Sequence, residues 1–332
     1  MSNSTLLLEA LLHGDAFTQR RAMAKAITLI ESTREDHREQ ADDLLTALLP
    51  HTGKSMRIGL SGVPGVGKST LIENLGLWLI AKGHKVAVLA VDPSSSVSGG
   101  SILGDKTRME LLSVNASAFI RPSPSSGNLG GVAEKTRECI LVCEAAGYDI
   151  VIVETVGVGQ SEVAVAGMTD VFVLMQLPNA GDDLQAIKKG VMEVADLVLI
   201  NKSDLDENAA AQAQAFINSA MHLMGSHRHV ADTKTYWQPK VIRISALSGQ
   251  RLTEFWNEIV DFKNIQSANG EWQNRRRTQA LKWLQELIAS GLHRAFNQNS
   301  RVASHLPMLE QDVLEGRMAA STAARQLLAL QF

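Results

Sequence analysis

The chain has 332 residues, 45% of them hydrophobic and 20% charged, which is ordinary for one or two globular domains. Its net charge of −3 excludes the strong basic field of proteins that bind nucleic acid or anionic membranes through overall charge. Two cysteines, Cys139 and Cys143, exclude a disulfide framework and indicate buried free thiols. Since the sequence shows neither a signal peptide nor a bilayer-spanning apolar run, we expect a cytoplasmic protein with no membrane or nucleic-acid partner.

Residues 1–50 are predicted to form helices, and from residue 56 the pattern changes to strands and helices in alternation. Most of the strand-like runs lack polar alternation, as expected for parallel strands that are covered on both faces. We therefore expect a doubly wound, mostly parallel α/β sheet. Its predicted strands lie at 56–60, 85–91, 118–121, 149–154, 170–177, 196–201 and 240–245.

After residue 250 the pattern is helical again, with helices predicted at 253–265, 271–297, 302–315 and 319–330. The helix at 271–297 carries an apolar stripe that needs a surface to cover it, either the sheet or a second copy of the chain. We divide the chain into an N-terminal helical extension (1–50), an α/β domain (51–265) and a C-terminal helical arm (266–332).

The loop between the first strand and the next helix matches the P-loop pattern G-x-x-x-x-G-K-[ST] at every fixed position. Glycines let its backbone approach a phosphate group closely, and its amides and the helix N-terminus then face that group. We expect Lys68 to reach the β- and γ-phosphates and Ser69 to offer its hydroxyl to Mg²⁺. The predicted cradle is Gly62, Val63, Pro64, Gly65, Val66, Gly67, Lys68, Ser69 and Thr70.

A second motif, Asn201-Lys202-Ser203-Asp204, stands at the end of a predicted strand and matches the guanine-reading pattern N-K-x-D. The Asp204 carboxylate can accept from both N1–H and the exocyclic amine of guanine, whereas adenine offers no matching donors. Asn201 would tie the loop together, and Lys202 would lie along the base. The loop after the next strand, Ser245, Ala246 and Leu247, fits one that closes over guanine with a backbone N–H.

Carboxylates that follow predicted strands are candidates for the Mg²⁺ shell. Asp92 ends the strand that we expect next to the P-loop, and Asp105 lies at the far end of a Ser/Gly-rich loop. Glu154 opens the stretch 154–162, in which Gly157 could turn its N–H toward a γ-phosphate and sense GTP against GDP. Gln160 in the same stretch is a candidate for positioning the attacking water, although its spacing does not fix that role.

The P-loop as GVPGVGKST, the DPSS segment at Asp92, the stretch ETVGVGQSE at 154–162 and the NKSD motif together resemble the MeaB/ArgK family of P-loop GTPases. Members of this family are chaperones of adenosylcobalamin-dependent methylmalonyl-CoA mutase. The resemblance implies slow GTP hydrolysis that the mutase accelerates, with GTP chemistry gating cofactor loading and protecting the mutase from inactivation. It also implies a homodimer joined by the C-terminal helices, and a mobile segment at 178–188 in which Asp182, Gln185 and Lys188 couple nucleotide state to the partner.

Three other functions stay open at this point. A metal-delivery GTPase would need imidazole or thiolate ligands, and His222, His227 and His229 are the local cluster, without an accompanying C-x-x-C. A nucleotide-dependent kinase or ATPase linked to transport would share the P-loop, although the NKSD motif argues for GTP. A non-enzymatic interaction protein would use the helical ends. The run of arginines at 275–277 is more typical of a solvated helix face than of a nucleic-acid site.

Overall fold

The structure is a computed structural model that describes residues 3–32, 34–91, 109–123, 129–155, 161–178, 189–225 and 236–330. The chain divides into two compact units, Met1–Arg275 and Arg276–Phe332. The first unit contains the sheet and the second contains most of the long C-terminal helix with the two helices that follow it. No helix in the described ranges combines the length and apolar character needed to cross a membrane.

The strands coincide with the predicted runs, and in the described residues they form one seven-stranded sheet in which every neighbouring pair is parallel. They are β1 (Met56–Gly62), β2 (Val86–Val91), β3 (Ala118–Ser123), β4 (Ile150–Thr155), β5 (Val171–Gln176), β6 (Leu197–Ile200) and β7 (Lys240–Arg243). Their order across the sheet is β3-β2-β4-β1-β5-β6-β7. The predicted doubly wound parallel α/β fold is confirmed, with the P-loop strand β1 at its centre.

Helices cover both faces of this sheet, as parallel topology requires. Before and between the strands they are α1 (Asn3–His13), α2 (Ala16–Glu31), α3 (Glu35–Leu48), α4 (Lys68–Ala81), α5 (Glu110–Val114), α6 (Leu129–Ala145), α7 (Ser161–Ala166), α8 (Lys189–Val194) and α9 (Glu207–Gly225). After β7 come α10 (Leu252–Ala268), α11 (Glu271–Gln298), α12 (Ser300–Leu314) and α13 (Ala320–Ala329).

Alternate residues of the central strands enter two separate cores. On what we call the α4 face, Ile58 and Leu60 of β1 pack with Leu71 and Leu75 of α4. On the α6 face, residues of β4 such as Val153 pack in a core that includes helices α2, α3 and α6. Cys139 and Cys143 are fully buried free thiols of that second core, as predicted.

The N-terminal helices are packed against the α/β body, because Met23, Ile27 and Leu44 are buried in the core of the α6 face. Polar contacts add to this packing: Arg20 donates to the carbonyl of Ser113, and an ion pair joins Glu31 of α2 to an arginine on β3. In the second unit, α12 and α13 pack around a small core of their own, formed by Val302, Leu309, Ala323 and Leu327.

Candidate nucleotide-binding site

The P-loop occupies the carboxyl end of β1 and leads directly into α4, which begins at Lys68. Two of its glycines meet specific steric demands. Gly67 has φ +98°, in the left-handed region, and a Cβ there would lie 2.5 Å from Asn201 Nδ2. A Cβ on Gly62 would lie 2.6 Å from the carbonyl oxygen of Met175 on β5. The P-loop therefore lies close against β5 on one side and Asn201 on the other, and only glycine allows that approach at these two positions.

Lys68 is buried, with 7% of its surface exposed, and its ammonium is held within the loop. Its Nζ donates to the carbonyl oxygen of Gly62 at 2.6 Å and to that of Val63 at 3.3 Å. Val63, Pro64 and Gly65 form the exposed crest of the loop. A buried ammonium beside loop carbonyls and a helix N-terminus suits an anion with several oxygens, such as the phosphates of a nucleotide.

Asn201 connects three loops through one side-chain amide. Its Nδ2 donates to the carbonyl oxygen of Val66 in the P-loop at 2.7 Å, and its Oδ1 accepts from the amide of Ala246 at 2.8 Å. The side chain is 2% exposed, so both bonds are shielded from water. Lys202 follows with φ +59°, and the backbone then carries Asp204 to the surface. The structure thus brings the N-K-x-D loop, the P-loop and the loop of Ser245 and Ala246 together.

A second asparagine, which the sequence did not single out, supports the same arrangement from α4. Asn74 Nδ2 donates to the carbonyl oxygen of Ala246 at 2.6 Å. Ser245 and Ala246 are buried, whereas Leu247 is 81% exposed. The amide of Ala246 is occupied by Asn201, and its carbonyl is occupied by Asn74. The one sequence signal for Asn74 is that it is a polar residue in the helix that directly follows the P-loop.

Glu154 is the carboxylate that the structure places beside the P-loop. It lies on β4, the direct neighbour of β1, in register with Leu60. The carboxylate is buried, and its Oε1 lies 3.4 Å from the hydroxyl of Ser69. A carboxylate and a hydroxyl are oxygen ligands of the kind that Mg²⁺ prefers, so the residues present fit this ion.

The expectation that Asp92 follows the strand next to the P-loop is wrong. β2 ends at Val91 and pairs with β4, so β4 separates β2 from β1. After β1 the chain skips one place in the sheet to form β2, and β4 later fills the place between them. The order of the strands in the sequence does not reveal this skipped place. Several predicted residues lie outside the described part of the chain: Asp92, Asp105, Gly157, Gln160, Asp182, Gln185, Lys188, His227 and His229.

Two further sequence interpretations can be compared with the structure. His222 is exposed on α9, and the described ranges contain no group of three or more His, Cys, Asp or Glu residues that could hold a metal ion. The arginine run at 275–277 is not simply a solvated face. Arg277 is exposed, but Arg275 is half-buried, and its Nη2 donates to both carboxylate oxygens of Asp196 at 3.0 Å.

A parallel sheet with a P-loop at the end of its central strand, tied by an asparagine to an N-K-x-D loop, defines a P-loop GTPase. A family model described as "Methylmalonyl Co-A mutase-associated GTPase MeaB" matches residues 23–301. The chain belongs to this MeaB family and is a GTP-hydrolysing enzyme.

Three similar proteins span most of this chain. "GTPase ArgK" of Escherichia coli is 51% identical over 269 residues, which are 81% of this chain and 80% of that protein. "Methylmalonic aciduria type A homolog, mitochondrial" of Mus musculus is 48% identical over 321 residues, 93% of this chain and 76% of that protein. A crystal structure titled "LAO/AO transport system kinase" superposes with a TM-score of 0.75 at 36% identity, covering 99% of this chain and 98% of its own.

Proposed function

We propose that this GTPase is a chaperone of adenosylcobalamin-dependent methylmalonyl-CoA mutase, gating the loading of the cofactor and protecting the mutase from inactivation. The observation that carries this proposal is the family match over residues 23–301, whose description names a mutase-associated GTPase. The similarity to the mouse methylmalonic aciduria type A homolog supports it. The proposal places the chain in the cytoplasm, as a reducing compartment suits the two buried thiols.

The nucleotide site is proposed to select guanine nucleotides through Asp204. Its exposed carboxylate can accept from two donors of guanine, each a charge-assisted bond worth about 1.5–3 kcal/mol. Lys202, with its left-handed backbone, and the Ala246 loop complete the base site in this proposal. The contacts of Asn201 with Val66 and Ala246 support it, because they hold the base loop at a fixed position relative to the phosphate cradle.

Hydrolysis is proposed to proceed by attack of water on the γ-phosphate. Lys68 and the P-loop amides would stabilise the negative charge that develops on the phosphate oxygens, so that catalysis is mostly positioning and electrostatics. Ser69 and Glu154 would hold Mg²⁺, with Asp92 and Asp105 as further candidates. A bound Mg²⁺ supplies charge neutralisation at the phosphates. Gln160 remains a hypothesis for positioning the water.

The output of the reaction is proposed to be conformational. Gly157 would contact the γ-phosphate, and the loop that carries it would relax after hydrolysis. Asp182, Gln185 and Lys188 would pass the nucleotide state to the mutase. The C-terminal helical arm, residues 266–332, would join two copies of the chain, and the GTPase domain would span 51–265, after the N-terminal extension at 1–50.

The decisive experiment measures binding of the purified chain to a methylmalonyl-CoA mutase with GDP and with a non-hydrolysable GTP analogue. We expect nucleotide-dependent affinity and nucleotide-dependent transfer of adenosylcobalamin into the mutase. Lys68→Ala should remove both effects, whereas Lys54→Ala, at an exposed lysine outside the cradle, should keep them. Identical binding and loading with both nucleotides would contradict the chaperone proposal. A preference for ATP in a competition assay would contradict the base assignment.

A further inference from the structure

A pair of buried hydroxyl groups joins the root of the P-loop to the root of the predicted γ-phosphate loop. Thr155, the last residue of β4, donates from Oγ1 to Oγ of Ser61 at 2.9 Å. Both residues are fully buried, with 0% of their surface exposed. Among the described residues, each of these hydroxyls has the other as its hydrogen-bond partner. Thr155 lies in the stretch 154–162 that carries the family resemblance, but the sequence assigned no role to Thr155 or to Ser61.

The strand end at 154–155 is held to the P-loop segment from both faces of the sheet. Successive side chains of a strand point to opposite faces, so Glu154 and Thr155 diverge. Glu154 pairs in register with Leu60 and lies on the α4 face, where Ser69 is 3.4 Å away. Thr155 therefore lies on the α6 face, where it bonds to Ser61. Two independent contacts thus fix the end of β4 against residues on either side of the P-loop.

The two bonded residues lie directly before the two segments that are proposed to contact the phosphates. Ser61 immediately precedes Gly62, whose carbonyl oxygen accepts from Lys68. Thr155 immediately precedes Val156 and Gly157, where the γ-phosphate contact is proposed. The hydroxyl pair therefore connects the residue that precedes the P-loop with the residue that precedes the proposed γ-phosphate contact.

We propose that Thr155 is a positioning residue: through Ser61 it holds the end of β4, after which the proposed γ-phosphate contact follows in the chain, against the end of β1, and so favours the triphosphate over the diphosphate. This inference rests on the proposed role of Gly157. GDP lacks the γ-phosphate, and the loss of the hydroxyl pair therefore weakens GTP binding and turnover more than GDP binding. A bond with a purely structural role would affect the two nucleotides alike.

The test is Thr155→Val, which keeps the shape of the side chain and removes the hydroxyl. We expect turnover of GTP and affinity for a non-hydrolysable GTP analogue to fall by about tenfold, the scale of one hydrogen bond. Affinity for GDP should stay within about twofold of wild type, because GDP has no γ-phosphate for the loop to contact. A twofold change corresponds to less than half the free energy of one such hydrogen bond. Thr155→Ser restores the hydroxyl and should recover most of the loss. Thr169→Val, which removes another buried hydroxyl, is the matched control and should leave the ratio of the two affinities unchanged.

Ser61→Ala removes the other half of the pair and keeps the test valid even if Thr155→Val fails to fold. Because the two residues act through one bond, Ser61→Ala, Thr155→Val and the double variant should show similar losses of the affinity ratio. Equal losses for GTP analogue and GDP, additive effects in the double variant, or a Thr155→Ser variant as impaired as Thr155→Val would each overturn the inference.

All of these measurements use the chain alone, without the mutase, and so separate the inference from the proposed function. If wild type distinguishes the GTP analogue from GDP and Thr155→Val keeps that ratio, the inference alone fails. If wild type neither distinguishes them nor hydrolyses GTP, the proposed γ-phosphate sensing fails as well.

Discussion

At the scale of single residues, buried amide side chains hold the loops of the candidate site together. Asn201 uses both ends of its amide internally, on Val66 and Ala246, and Asn74 holds the other side of the same loop. Removing a buried partner leaves its neighbours unsatisfied, which costs about 1–3 kcal/mol for each group. These bonds hold the loop that begins at Asn201, the P-loop and the loop at Ala246 in fixed positions relative to one another.

The exposed carboxylate of Asp204 gives the first residue-scale prediction. Asp204→Asn replaces one acceptor oxygen by an NH₂ group. One of the two proposed bonds to guanine is then lost, and the new NH₂ group faces an N–H donor of the base. We expect affinity for GTP to fall by at least about tenfold and the preference over ATP to shrink, from the strength of one charge-assisted bond. Nucleotide competition measures this. Glu207→Gln, at an exposed carboxylate on the following helix, should bind GTP as wild type does; an unchanged GTP preference in Asp204→Asn would refute the assignment.

Glu138 on α6 gives a prediction about pH. Burial raises the pKa of Glu138 to about 7, against an ordinary value of 4.5, although Lys135 lies 3.2 Å away. The folded state therefore binds this proton more tightly than the unfolded state does. The stability that this group contributes is highest below pH 4.5 and is lost as the pH rises through 7, by about 3 kcal/mol.

Glu138→Gln should remove that part of the pH dependence. The measurement is the free energy of unfolding by denaturant between pH 5 and about pH 8, a window chosen around the shifted pKa. Relative to wild type, the variant should gain stability as the pH rises, because it has no carboxylate to ionise. Glu35→Gln, at an exposed carboxylate, should follow the wild-type curve. Parallel curves for Glu138→Gln and wild type would rule out the proposed titration.

At the scale of elements, the first turn of α11 is fastened to the amino ends of β5 and β6. Arg275 donates to the Asp196 carboxylate and to the carbonyl of Asp170, while Asp196 also accepts from the amide of Phe172 at 2.8 Å. The ring of Trp272 contacts that of Phe262, with centroids 6.4 Å apart. Asp196 directly precedes β6 and Asn201 directly follows it, so the first turn of α11 is bonded to one end of the strand whose other end carries Asn201.

Arg275→Ala should loosen this root. The ion pair is largely shielded, with side-chain exposures of 27% for Arg275 and 13% for Asp196, so its loss should lower the free energy of unfolding by about 2–3 kcal/mol. Hydrogen exchange of the first turn of α11 should accelerate in the variant. Arg277→Ala is the matched control, because that side chain is exposed and should change stability by less than about 0.5 kcal/mol. Equal effects of the two substitutions would show that Arg275 is not an anchor.

At the scale of the whole molecule, the second unit presents an apolar stripe along α11. Leu281, Leu284, Ile288 and Leu292 are each more than half exposed, although their spacing places them on one side of the helix. A stripe of this kind is typical of a helix that packs against another. The proposed homodimer would bury it.

Leu284→Glu combined with Ile288→Glu should convert a dimer into monomers, because two buried carboxylates would face their symmetry copies without compensation. Sedimentation or light scattering measures the change in mass. Ser290→Glu adds a charge on the opposite side of α11 and should leave the dimer intact. If wild type is itself a monomer, or if the double variant keeps the wild-type mass, the stripe does not mediate dimerisation.

The sequence by itself determined the strands of this protein, the helical character of its two ends and the position of its P-loop. Parallel strands covered on both faces read as continuous apolar runs, so β1 through β7 could be located from local pattern alone. The P-loop and the N-K-x-D motif were equally readable, because each places several specific residue types at fixed positions in a short stretch.

Only the tertiary structure decided which elements are neighbours. The order of the strands in the sheet is set by the crossover connections between them. The length of a connection does not tell which place in the sheet the next strand takes. The structure therefore placed β4 with Glu154, rather than β2 with its following Asp92, beside β1. The contacts of Asn74, Thr155 and Arg275 have the same origin: each joins residues distant in the chain, and hydrogen-bond partners at that distance leave no local pattern to read.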